Sequence, residues 1–339
     1  MKRILILLIL LSVALVQVVG GPEPAFADSL ETLRAEVARI AQTVDDEVPE
    51  PVDSGVGASI AFAGEEPISL INGDHRFPMM STVKIPVSMQ ALDLVSQGKL
   101  TLEEQITITD EDLSVLSPVN LTFPQAPTTT KLYNLIWTAI VDSDNTTPNT
   151  MMRLMIGPKG VEAWVQEQGV NDISVERNLN RLFMDVYRLD SFDEVIEFLD
   201  EQDQKLGGAQ GFFIRPFESP FWDDPRDTIT PDAMAQLLSQ FMAGEVLDAE
   251  RTEVLIDIME QTRTGKARLQ GMLPPGTVVG DKTGTGHDSV NDVGWIRLPD
   301  GRVLVIAVYN CNKASFDTKE QVIAQIARAA YDWAIYAAE

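Results

Sequence analysis

Strand-forming patterns fall at the two ends of this chain, and that division constrains its fold more than any other feature. Near the N-terminus, Val56 to Phe62 and Pro67 to Ile71 are apolar runs joined by Gly64-Glu65-Glu66, which predicts a hairpin. Near the C-terminus, Gly276 to Thr285, Val290 to Leu298 and Arg302 to Asn310 read as three strands, the last two joined at Pro299-Asp300-Gly301. From Leu100 to about Phe241 the pattern is mainly helical, including Thr128 to Val141 and an acidic amphipathic stretch, Val186 to Glu201. Ser29 to Thr43 and Thr318 to Ala338 have helical spacing, and Thr230-Pro231 offers an N-cap followed by Pro at the first helical position. The expected fold is mixed α/β (α+β). Residues 28–85 and 232–339 form an antiparallel sheet flanked by helices, and 86–231 form an all-helical lobe. A cleft between two such parts is a favoured binding site.

The first residues read as a targeting segment. Lys2-Arg3 is followed by the apolar run Ile4 to Val19, and Ala25-Phe26-Ala27 has the small-x-small form of a cleavage site. The run is shorter than the roughly 20 residues that span a bilayer. Residues 1–27 are therefore expected to be a signal peptide that sends the chain to the periplasm or outside, with no stable membrane insertion after cleavage. An uncleaved anchor is the alternative.

The one cysteine, Cys311, allows no intrachain disulfide and is expected to be packed. The formal net charge of −25 argues against nucleic acid or an anionic membrane as a partner. Two histidines, His75 and His287, are too few for a zinc site built on histidine. No metal or cofactor is expected, and the chain is expected to be a monomer acting on a small molecule.

Three short words carry chemistry. In Ser81-Thr82-Val83-Lys84 the lysine follows the serine by one helical turn, so the two side chains share a face. Ser81 is the candidate nucleophile. Lys84 is its candidate base, provided burial or a nearby cation lowers its pKa. Ser143-Asp144-Asn145 follows a helix directly. Ser143 can relay a proton to a leaving nitrogen, and Asn145 can bind a substrate carbonyl. Lys282-Thr283-Gly284-Thr285 closes an apolar strand. Lys282 supplies positive charge, Thr283 and Thr285 can bind a carboxylate, and Gly284 leaves room for a substrate along the strand edge. The Ser81 and Thr285 N–H groups can form an oxyanion hole. Singly these words are weak, since Ser96-Gln97-Gly98-Lys99 repeats the first pattern at the wrong end of a helix.

In this order the three words resemble the signature of class A β-lactamases and penicillin-binding proteins. The resemblance runs from about Ser29 to Ala338. It includes Ser117-Pro118, with Leu116 where an aromatic is usual. It also includes Asn149, the stretch Thr264-Gly265-Lys266-Ala267-Arg268-Leu269, and Asn291-Asp292-Val293-Gly294. It implies an exported serine hydrolase that opens β-lactams through a Ser81 acyl-enzyme and confers antibiotic resistance. The alternative is a penicillin-binding, peptidase- or esterase-like relative that acylates but deacylates slowly, with peptidoglycan-like substrates.

The family's deacylating glutamate is not where the resemblance puts it. Glu176-Arg177 aligns with the family's acidic-Arg pair, which sets Leu179 in the glutamate's place and Phe183 in that of a following asparagine. Arg226-Asp227-Thr228 matches the exit of that loop, whose aspartate pairs with the entry arginine, and the segment 177–227 is enlarged. Glu176, Glu194, Glu218 or no residue then supplies the base. Asn291 also stands where many members carry a carboxylate-binding arginine, and Arg297 lies further along that strand.

Overall fold

The structure is a computed structural model that describes residues 24–48, 55–206, 224–286 and 288–336. The expectation for residues 1–23 of the targeting segment, Glu218 and His287 lie outside the described residues.

Helix α1 (Pro24–Glu47) opens the described chain and leads to β1 (Val56–Phe62) and β2 (Ile68–Ile71). A two-residue strand β3 (Phe77–Pro78) precedes a 3-10 turn, Met80–Val83, which continues as α2 (Lys84–Ser96). Strand β4 (Gln105–Ile108), the short α3 (Pro118–Thr122), β5 (Thr128–Lys131) and α4 (Leu132–Val141) follow. Next come α5 (Thr146–Leu154), α6 (Pro158–Glu167), α7 (Leu179–Tyr187) and α8 (Phe192–Leu206). After β6 (Thr228–Ile229) come α9 (Pro231–Met242), α10 (Ala249–Met259), β7 (Val279–Thr285), β8 (Val290–Arg297), β9 (Val303–Asn310) and α11 (Phe316–Tyr336).

The strands from the two chain ends form one antiparallel sheet in the order β2-β1-β9-β8-β7. β1 pairs with β9 from Val56↔Asn310 to Phe62↔Leu304, which joins the first part of the chain to the last. Both faces of the sheet are buried. Leu304, Ile306 and Val308 face a core shared with α1 and α11, while Val305, Ala307 and Tyr309 face the core of the helical part. A strand covered on both sides has no polar face, so β9 reads as an unbroken apolar run.

Two expectations need correction. The middle of the chain is not all-helical, because β4 and β5 pair from Gln105↔Lys131 to Ile108↔Thr128. Thr128–Lys131 is therefore strand, and its helix begins only at Leu132. The run of β-branched threonines there favours extended backbone once a partner strand is available. The enlarged segment is also more than a loop. It contains α7 and α8, which pack through Phe183, Tyr187 and Phe198, with the Tyr187 and Phe198 ring centroids 5.1 Å apart. Its stem is closed by residues far apart in sequence. Glu176 and Arg177 donate backbone N–H bonds to Asp227 Oδ1 at 2.7 and 3.0 Å, and Arg177 Nε bonds Asp227 Oδ2.

Helices α9 and α10, assigned by sequence to the sheet part, contribute Met234, Leu238, Phe241, Leu255 and Ile258 to the core shared with the helical part. One continuous apolar core thus joins a face of the sheet, α9, α10 and the helices of the middle segment.

Candidate active site

Ser81 sits in the 3-10 turn at the head of α2, preceded by Met80 in the left-handed region at φ 50°. Leu116 (φ 54°) and Ser143 (φ 56°) share that conformation on the opposite side of the cleft. Non-glycine residues held there cost about 1–3 kcal/mol each and persist only where surrounding contacts enforce them. For Ser143 the enforcing group is its neighbour Asp144, which is fully buried. Its Oδ1 accepts the N–H groups of Thr146 and Thr147, and its Oδ2 accepts the Val119 N–H and the Ser117 hydroxyl.

The three words meet around one ammonium or amine. Lys84 Nζ lies 3.0 Å from Ser81 Oγ, 2.7 Å from Asn145 Oδ1, 2.7 Å from the Ser143 carbonyl and 3.2 Å from Ser143 Oγ. Lys282 Nζ approaches Ser143 from the other side, 3.0 Å from its Oγ, and donates to the Thr283 carbonyl at 2.8 Å. Ser143 Oγ therefore bridges two lysines that are both completely buried.

Burial drives the Lys84 pKa well below its ordinary value; the nearby Lys282 charge adds to this, and Asp144 opposes it. Burial likewise lowers Lys282 to about 7, against the pull of Asp281 and Asp292. A neutral Lys84 has two N–H bonds and one lone pair. The Asn145 and Ser143 carbonyl oxygens can only accept, so they take the hydrogens and leave the lone pair for the Ser81 hydroxyl. Asn145 Nδ2 donates one hydrogen to the Val115 carbonyl at 3.0 Å, leaving the second for a ligand.

On the strand side, Thr283 Oγ1 is 2.6 Å from Thr264 Oγ1. Thr285 Oγ1 accepts from Arg268 Nη2 at 2.8 Å. Gly284 has a packing task besides the one read in the sequence. A Cβ there would lie 2.7 Å from the Met79 carbonyl, so glycine lets β7 press against the turn that carries Ser81.

Arg268 is the cation that sequence reasoning passed over, although it lies inside a quoted motif. It is buried, bonds the Gly284 and Asn291 carbonyls at 3.2 and 2.9 Å, and pairs with Glu320 at 3.0 Å. Asn291 itself points inward, donating to the Pro78 carbonyl at 2.9 Å. Arg297 is held 2.7 Å from Glu260, at the far end of β8, and does not reach the cleft.

The candidate bases are likewise drawn elsewhere. Glu176 is exposed and pairs with Lys159 at 3.2 Å. Glu194 accepts the Asp190 N–H at 3.0 Å near the start of α8. Asn149 Oδ1 accepts the Leu179 N–H at 2.9 Å, which sets this leucine beside the cleft. Leu179 and Leu182 line a cavity of about 10 Å³ with Met79, Met80 and Val83, the residues flanking Ser81. Among the described residues no carboxylate hydrogen-bonds Ser81, Lys84 or Ser143.

The model of a β-lactamase enzyme family matches residues 52–334. The chain belongs to this β-lactamase enzyme family. It is 28% identical to β-lactamase VEB-1 of Pseudomonas aeruginosa, covering 82% of this chain and 85% of that protein. It is 29% identical to the extended-spectrum β-lactamase PER-1 of the same organism, covering 79% and 78%. A β-lactamase from Chitinophaga pinensis superposes with a TM-score of 0.71 at 28% identity, over 89% of this chain and 99% of that one. An ancestral class A β-lactamase gives 0.69 at 28% identity, over 88% and 99%. The protein is a serine β-lactamase-like hydrolase with the class A fold. Among the described residues no helix is long and apolar enough to cross a membrane.

Proposed function

We propose that this β-lactamase family member is an exported enzyme that takes β-lactams, or the peptidoglycan-like peptides they mimic, onto Ser81 as an acyl-enzyme and releases them slowly. The observation that carries the reading is the 3.0 Å approach of a fully buried Lys84 Nζ to Ser81 Oγ. As Oγ attacks the lactam carbonyl, the Lys84 lone pair takes its proton. The developing oxyanion is stabilised by the Ser81 and Thr285 N–H groups. When the C–N bond breaks, Ser143 Oγ gives its proton to the nitrogen and is reprotonated from Lys84. Lys282, Thr283, Thr285 and Arg268 form a cationic and hydroxyl-rich end for the substrate carboxylate, and Asn145 Nδ2 binds an amide carbonyl.

Release requires a base that activates water. Leu179 beside the cleft, with Glu176 and Glu194 engaged elsewhere, supports slow release. Mass spectrometry of the protein mixed with benzylpenicillin tests this. The expected product is a long-lived adduct on Ser81. An adduct that vanishes within seconds, with steady cephalosporin turnover, overturns slow release. Absence of any adduct overturns the whole reading.

A further inference from the structure

A second cavity, separate from the cleft, lies between α3, β5 and α4 and has a volume of about 240 Å³. Its volume exceeds the roughly 150 Å³ that holds a benzene ring, and its partly exposed lining mixes five threonines and an asparagine with Val119, Phe123, Leu135 and Trp137, so a ring with a polar edge fits it. No lysine, arginine, aspartate or glutamate lines it, which selects for an uncharged ligand. Phe123 and Trp137 line it, the Arg263 guanidinium carbon lying 4.8 Å from the Trp137 ring centroid, and Thr128 and Asn134 carry oxygen acceptors. Asn134 donates one amide hydrogen to Thr130 Oγ1, 2.8 Å away, and its Oδ1 is open to a donor.

Three lining residues also hold the Ser143 turn. The Thr138 carbonyl accepts the Asp144 N–H at 3.0 Å. The Thr147 and Val119 N–H groups donate to the Asp144 carboxylate at 2.8 and 2.9 Å. A ligand that shifts α3 or the end of α4 thus acts directly on the aspartate that keeps Ser143 between the two lysines.

We propose that this cavity binds a small neutral aromatic hydrogen-bond donor, of the indole or phenol class, and that its occupancy changes the rate of Ser81 acylation. The rate effect rests on the proposed acylation chemistry; the binding does not. Indole is titrated into Ser81→Gly protein by ligand-observed NMR, and into the unsubstituted protein while a fluorescent penicillin labels Ser81. Saturable binding is expected, with a change of about fivefold in labelling rate over the same concentrations. Thr128→Phe, which fills the cavity, should abolish both while retaining the basal labelling rate and melting temperature. Asn134→Leu should weaken indole about fivefold and leave 1-methylindole unaffected. No saturable binding to either protein overturns the site. Binding without a rate change, or a rate change that survives Thr128→Phe, overturns the coupling.

Discussion

Asn149 Oδ1 accepts the backbone N–H of Leu179 at 2.9 Å, and that bond sets an apolar side chain where a water-activating group would be useful. Leu179→Glu keeps this backbone bond and places a carboxyl against Met79, Met80 and Val83. Burial there raises a carboxyl pKa, which suits a general base, while the Arg177 cation lining the same cavity, itself paired with Asp227, opposes that rise. The expected outcome is a Ser81 adduct whose lifetime falls by about 10²-fold or more, with acylation little changed. Time-resolved mass spectrometry after a penicillin pulse reads it, and an unaltered lifetime counts against this position.

Lys84→Ala removes the buried amine that lies 3.0 Å from Ser81 Oγ. The acylation rate should drop by about 10²–10⁴-fold, the usual contribution of a positioned base. Stopped-flow labelling measures the loss. A rate within tenfold of the parent would mean that another group takes the proton.

Lys282 predicts a pH limb. Its pKa of about 7 makes it cationic below that pH and neutral above it. Second-order acylation by a carboxylate-bearing penicillin should therefore decline as pH rises through about 7. At saturating penicillin the limb should move upward, because the bound carboxylate stabilises the charged lysine. In Lys282→Arg the limb should disappear, since arginine stays charged. The same lysine acts on stability. Between about 7 and its ordinary 10.5 the unfolded chain binds a proton that the folded chain does not. Its contribution to stability therefore grows with pH across that window. Parallel rate and denaturant profiles check both signs.

The Arg177–Asp227 pair closes the stem of the α7–α8 segment. Both residues are buried, so Asp227→Ala removes one of three carboxylates around the Arg177 guanidinium, leaving Asp185 at 3.0 Å and Asp224 at 3.2 Å, and leaves two backbone N–H groups unbonded. A loss of about 2–4 kcal/mol is expected in urea unfolding, mainly from the two unbonded backbone N–H groups. Limited proteolysis should then cut between residues 178 and 224 sooner than in the parent.

The sheet was legible in the sequence because alternation and apolar runs mark strands locally. All five of its strands lie within a few residues of where the pattern set them. The β4–β5 pair was hidden, since a threonine-rich run such as Thr128–Lys131 chooses strand only when a neighbour is there to pair with it. The helices of the enlarged segment were read in part. Val195, Phe198 and Leu199 do face inward, but α7 was missed where an aligned loop was expected.

The candidate site divides in the same way. The sequence by itself determined the residue types and the one contact that helical spacing dictates, Ser81 with Lys84. Tertiary structure decided that Ser143 Oγ bridges Lys84 and Lys282, residues separated by 59 and 139 positions from that serine. It also decided that Arg268, rather than Arg297, reaches Thr285, and that Glu176 and Glu194 turn away. Local spacing fixes which side chains share a helical turn. A lysine becomes a base, or a glutamate a spectator, only through burial and partners that distant segments supply.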